Sequence, residues 1–256
     1  MQTPLFNLTG RAALVTGGSR GLGKAIARAL AQAGADVILA SRRESELAAA
    51  AQEIRAQAAV RVEYAAADLA SRDEVRKLAQ TAIERLGKID ILFANAGDNR
   101  PQPIDQVRDE DWDRLLELNL SGCMALTRAL VPGMKERRWG RVIYTSSIMG
   151  LSSKEGRSAY SATKTALLGL ARAAALDLGP FGITVNCIAP GPFATEMPMS
   201  ILSQEEQDAF ALRTALGRWG QPDEVAGPAL LLASEAGSYI TGSVLVVDGG
   251  ILCRVM

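Results

Sequence analysis

Short runs of apolar and β-branched residues alternate along this chain with longer stretches in which apolar positions recur every three to four residues. The short runs predict strands near residues 12–16, 36–40, 60–64, 89–94, 141–146, 183–188 and 243–247. The helical patterns fall near 22–33, 44–57, 72–86, 110–135, 158–178, 203–212 and 222–233. Such alternation predicts an α/β fold, a doubly wound sheet of about seven parallel strands with helices on both faces. No linker, repeat or low-complexity stretch interrupts it, so residues 1–256 are expected to form a single domain. The alanine-rich stretch 47–59 contains Glu53 and Arg55 and follows Glu44 and Glu46, which makes it a helix rather than a disordered tract. Helix 158–178 is apolar nearly all round, with Leu167, Leu168, Leu170, Ala171, Ala174 and Leu176, and should be covered on more than one side.

Composition narrows the function classes. Apolar residues make up 48% of 256, enough for a large core. Lys and Arg number 28, as do Asp and Glu, so no net charge draws the chain to nucleic acid or to an anionic membrane. No apolar run is long enough to span a bilayer, and residues 1–10 lack the basic and apolar regions of a signal peptide. Cys123, Cys187 and Cys253 are scattered, forming neither a metal-ligand pair nor a disulfide frame, which points to the cytoplasm and to no bound metal. Histidine is absent. That excludes a Ser-His-Asp triad, a Cys-His pair and a histidine-ligated zinc site. Proton transfer near neutral pH is left to a carboxylate, a lysine, a tyrosine or a cysteine.

The chemistry is concentrated at the ends of the predicted strands. The first runs into Thr16-Gly17-Gly18-Ser19-Arg20-Gly21-Leu22-Gly23 and then into a helix. A strand that turns through glycines into a helix aims backbone N–H groups and the positive end of the helix dipole at one spot, which suits a phosphate. Glycines there can equally serve only a tight turn. The second strand ends at Ser41-Arg42, with no acid to bond a ribose 2′-OH. Arg20 and Arg42 suit a 2′-phosphate, or are solvated loop arginines. Asp68-Leu69 follows the third strand, where Asp68 either contacts a ligand or caps the helix near Arg72. Asn95-Ala96-Gly97 follows the fourth. Asn119 sits among Leu115, Leu116, Leu118 and Leu120, where a polar amide needs partners. Ser147 follows the fifth strand, and Tyr160 and Lys164 lie one helical turn apart on one face of the next helix.

Taken in order, the Thr-Gly-x-x-x-Gly-x-Gly turn, Asn95-Ala96-Gly97, and Ser147 with Tyr160-x-x-x-Lys164 resemble the classical short-chain dehydrogenase/reductase family over essentially the whole chain. The resemblance implies a Rossmann-type sheet and a nicotinamide dinucleotide. Its binding positions would be Gly17, Ser19, Arg20, Gly21, Leu22 and Gly23 at the turn, then Ser41, Arg42, Asp68 and Leu69. Asn95, Ala96, Gly97, Tyr160 and Lys164 would follow, with Pro190, Gly191, Phe193 and Thr195 holding the nicotinamide carboxamide end. Ser41 stands where the family's NAD enzymes carry an aspartate, so NADP is expected. Tyr160 would act as general acid in carbonyl reduction and general base in alcohol oxidation, favoured as phenolate by Lys164. Ser147 would bond the substrate oxygen, and Asn119 would hold a water that resupplies the proton.

The same resemblance implies a substrate lid near 192–215 and a homotetramer packed through helices 110–135 and 158–178. Residues 239–250 are expected at the sheet edge and subunit contacts. Phe6-Asn7-Leu8-Thr9-Gly10 and Pro190 to Met197 are similar to the gluconate 5-dehydrogenase branch, whereas Arg20 and Arg42 look equally like the 3-oxoacyl-carrier-protein reductases. The expected activity is reversible oxidation of a secondary alcohol by NADP, on a small polar substrate such as a sugar acid. Arg100, Lys154 and Arg157 are candidates for its carboxylate or are ordinary surface cations. A non-catalytic dinucleotide-binding protein is the alternative of another class.

Overall fold

The computed structural model describes residues 4–253. Its strands are β1 (Ala12–Thr16), β2 (Asp36–Ser41), β3 (Val62–Ala66), β4 (Ile91–Ala94), β5 (Gly140–Thr145), β6 (Ile183–Pro190) and β7 (Val244–Val247). All pair in parallel, in the order β3-β2-β1-β4-β5-β6-β7. The helices are α1 (Gly21–Gln32), α2 (Glu44–Arg55), α3 (Arg72–Leu86), α4 (Asp109–Leu116), α5 (Gly122–Arg137), α6 (Ser158–Leu178), α7 (Glu196–Ile201), α8 (Gln204–Arg213) and α9 (Ala226–Ala233).

Alternate residues of each strand feed opposite faces of the sheet. Leu14, Ile38, Leu92 and Val142 pack under Leu78 of α3, Leu126 of α5 and Leu167 of α6. Their neighbours Val15, Leu39, Phe93 and Ile143 pack under Leu30 of α1, Leu47 of α2 and Leu232 of α9. With both faces covered, β1, β4, β5 and β6 are buried at every residue, which is why their sequences read as apolar runs without alternation. The strand order turns back between β1 and β4, and a crevice opens there beyond the carboxyl ends of the strands.

Three elements depart from the sequence pattern. The helix expected over 110–135 is broken into α4 and α5 by a π turn at Glu117–Ser121, with Asn119 inside it. Apolar periodicity cannot report one inserted residue, because the flanking turns keep their own period. The helix expected over 222–233 opens as a 3-10 turn, Pro222–Val225, before α9. β4 starts at Ile91, two residues later than expected, although the Asp90 backbone still pairs with Ala12 and Arg141 and its carboxylate accepts the Ala12 N–H at 3.1 Å.

That carboxylate marks the amino ends of the strands. Asp90 also pairs with Lys88 at 2.9 Å and with Arg137 at 3.1 Å. Nearby, buried Arg141 lies 4.3 Å from the Trp139 ring and 3.6 Å from Glu235. Glu235 accepts the Trp139 indole N–H at 2.7 Å.

Candidate active site

The turn between β1 and α1 is built on glycine for two reasons. Gly17 and Gly21 hold φ of +65° and +54°, the left-handed region that side chains disfavour. A Cβ on Gly23 would stand 2.1 Å from the Gly17 carbonyl oxygen, so no side chain fits where the helix crosses the turn. Thr16 Oγ1 accepts the backbone N–H groups of Asn95 and Ala96, both at 3.0 Å. Asn95 Nδ2 donates to the Thr16 carbonyl at 3.1 Å, and its Oδ1 accepts the Thr145 hydroxyl at 3.3 Å. Asn95 thus ties together the ends of β1, β4 and β5. No side chain caps the start of α1, so its first N–H groups remain for an anion.

A cleft of about 440 Å³ runs along the carboxyl ends of the strands. The structure gathers the expected dinucleotide positions on its walls. The turn residues Gly17, Ser19, Arg20, Gly21, Leu22 and Gly23 meet Ser41, Arg42, Asp68 and Leu69 at one end. Asn95, Ala96 and Gly97 lie midway, and Pro190, Gly191, Phe193 and Thr195 approach Ser147, Tyr160 and Lys164 at the other. Asn119, expected to act through a water rather than on the dinucleotide, is fully buried and lines no part of the cleft. Its Oδ1 accepts the Asp98 N–H at 2.9 Å, and its Nδ2 donates to the Asp98 carbonyl at 3.0 Å and to Thr163 Oγ1 at 3.1 Å. Both ends of the amide therefore hold the loop after Gly97 against α6. A Cβ on Gly97 would come within 3.1 Å of Asn119 Oδ1 and 3.2 Å of Lys164 Nζ.

At the end of the cleft that holds Tyr160, Lys164 Nζ lies 5.6 Å from the centre of the Tyr160 ring and donates to the Thr145 carbonyl at 2.7 Å. Lys164 is 3% exposed and has no carboxylate partner among the described residues. Ser147 Oγ accepts the Met149 N–H at 3.1 Å, which leaves the hydroxyl proton for another acceptor. Ser146 Oγ donates to the Lys164 carbonyl at 2.8 Å and fastens α6 to the end of β5.

The other end holds the residues expected to select between the two dinucleotides. Ser41 Oγ is buried and has no hydrogen-bond partner, and Arg42 makes no ion pair among the described residues. Arg20 instead reaches across the cleft to Glu196 at 3.4 Å. Glu46 and Arg43, which sequence reasoning missed, also line this end and pair with each other at 2.5 Å. Their i, i+3 spacing right after Arg42 was the available signal. Glu46 additionally accepts the Ser19 hydroxyl at 3.3 Å. Asp68 does not cap α3, because Ser71 does so through the Glu74 N–H. Asp68 instead accepts the Ala70 N–H and Arg114, both at 3.1 Å. Burial pushes its carboxyl up, but the Ala70 N–H, Arg114 and Arg42 together hold it below its ordinary value.

Among the substrate candidates, Arg100 is engaged by the buried carboxylate of Asp111 and lies 3.8 Å from Asp98, and neither it nor Lys154 nor Arg157 lines the cleft, although Tyr160, three positions after Arg157, does. Asp111 also accepts Gln102 at 2.9 Å and Arg108 at 2.7 Å, which fastens the loop after Gly97 to α4. Segment 192–215 holds α7 and α8, α8 starting from a capping box between Ser203 and Glu206.

Comparison with known proteins agrees with this geometry. The family model described as short chain dehydrogenase matches residues 11–206. The chain is 39% identical over 249 residues to gluconate 5-dehydrogenase of Gluconobacter oxydans (strain 621H), covering 96% of each. It is 37% identical over 245 residues to a 3-oxoacyl-acyl-carrier-protein reductase of Aquifex aeolicus (strain VF5), covering 96% of this chain and 98% of that one. It superposes with a TM-score of 0.92, at 36% identity over 98% of this chain and 99% of the other, on a gluconate 5-dehydrogenase from Burkholderia cenocepacia J2315 solved with NADP and tartrate. With the glycine turn, the asparagine brace and the Ser-Tyr-Lys grouping meeting in one cleft, this chain belongs to the short-chain dehydrogenase/reductase family, oxidoreductases that act on CH–OH groups.

Proposed function

We propose that this chain is an NADP(H)-dependent oxidoreductase that interconverts a secondary alcohol and a ketone, with a sugar acid of the gluconate/5-ketogluconate type as its substrate. The observation that carries the reaction is the meeting of Ser147, Tyr160 and Lys164 with the glycine turn in one cleft. A protein that only bound a dinucleotide would have no use for a phenol beside a buried ammonium that lacks a counter-charge.

The nucleotide, when bound, gives or takes the hydride. The chain supplies position, charge and the proton. The turn from Gly17 to Gly23 would hold the pyrophosphate, Ser41 and Arg42 the 2′-phosphate, and Thr195 and the Phe193 backbone the carboxamide. Tyr160 gives its phenolic proton to the carbonyl oxygen in reduction and takes it back in oxidation. Lys164, fixed on the Thr145 carbonyl, stabilises the negative charge left on the phenol oxygen. Ser147 donates its hydroxyl proton to the substrate oxygen, where negative charge develops. Asn119 fixes the loop behind Gly97 and, as the family resemblance implies, holds the water that returns the proton.

Asn99 supports a polyhydroxy substrate over an acyl chain. It lines the cleft, and its buried Oδ1 has no donor. A sugar hydroxyl can fill that vacancy and a methylene cannot. The similarity to the Aquifex aeolicus reductase keeps 3-oxoacyl-thioester reduction as the second reading. The test is a panel of 5-ketogluconate, an acetoacetyl thioester and small neutral ketones, followed by NADPH absorbance. Reduction of the thioester alone would select the second reading, and tighter binding of NADH than NADPH would overturn the cofactor.

The same proposal makes residues 1–256 one catalytic domain, closed by α7 and α8 as a lid. Assembly into a homotetramer has the support of Leu176 and Tyr239, which the single chain leaves 81% and 102% exposed. No helix of the described residues is long and apolar enough to cross a membrane. The free thiols of Cys123, Cys187 and Cys253 support a reducing cytoplasm.

A further inference from the structure

The cations near the loop after Gly97 and the start of α6, next to Tyr160 on the cleft wall, fall into two groups. Arg100 is taken up by Asp111 and Asp98. The segment next to it behaves otherwise. The Gln102 N–H donates to the Gly156 carbonyl at 3.0 Å, which sets the loop after Gly97 beside the turn that leads into α6. Arg157 ends that turn. It is half-buried, makes no ion pair among the described residues, and stands three positions before Tyr160, one turn along the same side of the helix. Beside it, Ser158 Oγ is buried without a partner.

Two further cations stand close by. Lys154 Nζ lies 5.0 Å from the centre of the Phe210 ring on α8, and the Arg213 guanidinium lies 5.8 Å from the same ring. Phe210 is backed by Trp219, 5.5 Å away between ring centres. Neither cation has an ion-pair partner among the described residues. The carboxylates that act on Lys154 are Glu155 and Glu206, and Glu206 is already held by the Ser203 N–H at 2.9 Å. Burial and the neighbouring charges of Arg157 and Arg213 hold the Lys154 ammonium below its ordinary value. Burial lowers Arg157 as well, and the Tyr160 phenol acts on it in the opposite sense. A half-buried arginine with two exposed cations beside it and no carboxylate raises the energy of the empty site, and an anion from outside relieves it.

We propose that Arg157, with Lys154 and Arg213 around it, forms the subsite for the anionic end of the substrate, and that the substrate class is small hydroxy and oxo acids carrying a carboxylate. This rests on the sugar-acid reading and sharpens it, because it assigns the carboxylate to Arg157 and excludes Arg100. The acyl end of a 3-oxoacyl thioester carries no carboxylate. An exposed lysine alone would be a poor subsite, but a half-buried arginine beside the reacting group binds a carboxylate with two parallel hydrogen bonds.

The experiment compares the wild type with R157Q, R157K and K154Q/R213Q, using 5-ketogluconate and the neutral ketone dihydroxyacetone. R157Q should raise KM for the oxo acid about tenfold more than KM for the neutral ketone, with a smaller fall in kcat, the signature of lost uniform binding. R157K should recover part of the loss, and K154Q/R213Q should cost about threefold. Equal rises for the two substrates, or an oxo-acid KM within about twofold of wild type, would overturn the subsite. If the wild type reduces only the neutral ketone or a thioester, the sugar-acid reading fails, and the subsite is then decided by D-gluconate as an inhibitor. Competitive inhibition that weakens about tenfold in R157Q supports the subsite, while no inhibition of the wild type removes it. Competition by inorganic phosphate and not by gluconate would overturn the carboxylate class.

Discussion

The two ends of the sheet treat their charges differently. At the amino ends, Asp90 is completely buried and is met by Lys88, Arg137 and the Ala12 N–H. Arg141, also buried, is met by Glu235 and the Trp139 ring. Thr184 and Ser234 leave a hydroxyl unpartnered there, but no charge. At the carboxyl ends, among the described residues, buried Lys164 has only a carbonyl, Arg42 makes no ion pair, and Ser41 and Asn99 bury oxygens with no partner. Folding gains little from a buried ammonium that lacks a carboxylate. Charges completed by the protein serve the fold, and groups left incomplete serve what enters the cleft.

Substitutions can break this comparison. The largest effect belongs to Tyr160→Phe, which keeps the ring and removes the proton. Turnover should fall about 10³-fold while NADPH binding, followed by fluorescence, stays near the wild-type value. Near-normal turnover would move the proton transfer to another group, and no histidine exists to take it.

Asp90→Ala should come next. It strands Lys88 and Arg137 and should cost about 3 kcal/mol in denaturant unfolding, with turnover per folded molecule retained. The sharper form pairs it with Lys164→Met, which should lower turnover by less than Tyr160→Phe does and leave stability equal or higher. If Lys164→Met destabilised as much as Asp90→Ala, the two ends would not differ as described.

A smaller effect follows from Arg42→Asp. The new carboxylate repels a 2′-phosphate and can bond a ribose hydroxyl, so the ratio of NADPH to NADH affinity should fall about tenfold or more. An unchanged ratio in a fluorescence titration would transfer the selectivity to Arg20 or Arg43. The smallest change is expected from Leu176→Glu, which touches neither end of the sheet. It should shift the assembly toward smaller species in light scattering and leave the unfolding midpoint of the dissociated chain close to wild type.

Much of the fold was legible because its signals are local. Ala12–Thr16 is a run of buried residues, Gly17 and Gly21 need left-handed backbone, and Tyr160 and Lys164 are one turn apart on one helix. Each feature is set by neighbours within a few residues. The π turn at Asn119 was not legible, since the hydrogen bonds its side chain makes reach Asp98, 21 positions away. Glu46 was missed because its i, i+3 spacing from Arg43 signals a pair on the helix but not that Glu46 lies beside Ser19, 27 positions away.

What the sequence by itself determined is the strand and helix alternation, the glycine turn and the residue types able to move a proton, because these follow from local sterics and from which side chains the chain contains. Only the tertiary structure decided which charges are used up. Arg20 reaches Glu196 across 176 positions of sequence, and Arg100 is held by Asp111, while Arg42 and Arg157 stay unpaired among the described residues. The reason is physical: all four guanidinium groups are the same chemistry, and whether a carboxylate lies within reach depends on how distant helices pack against the sheet.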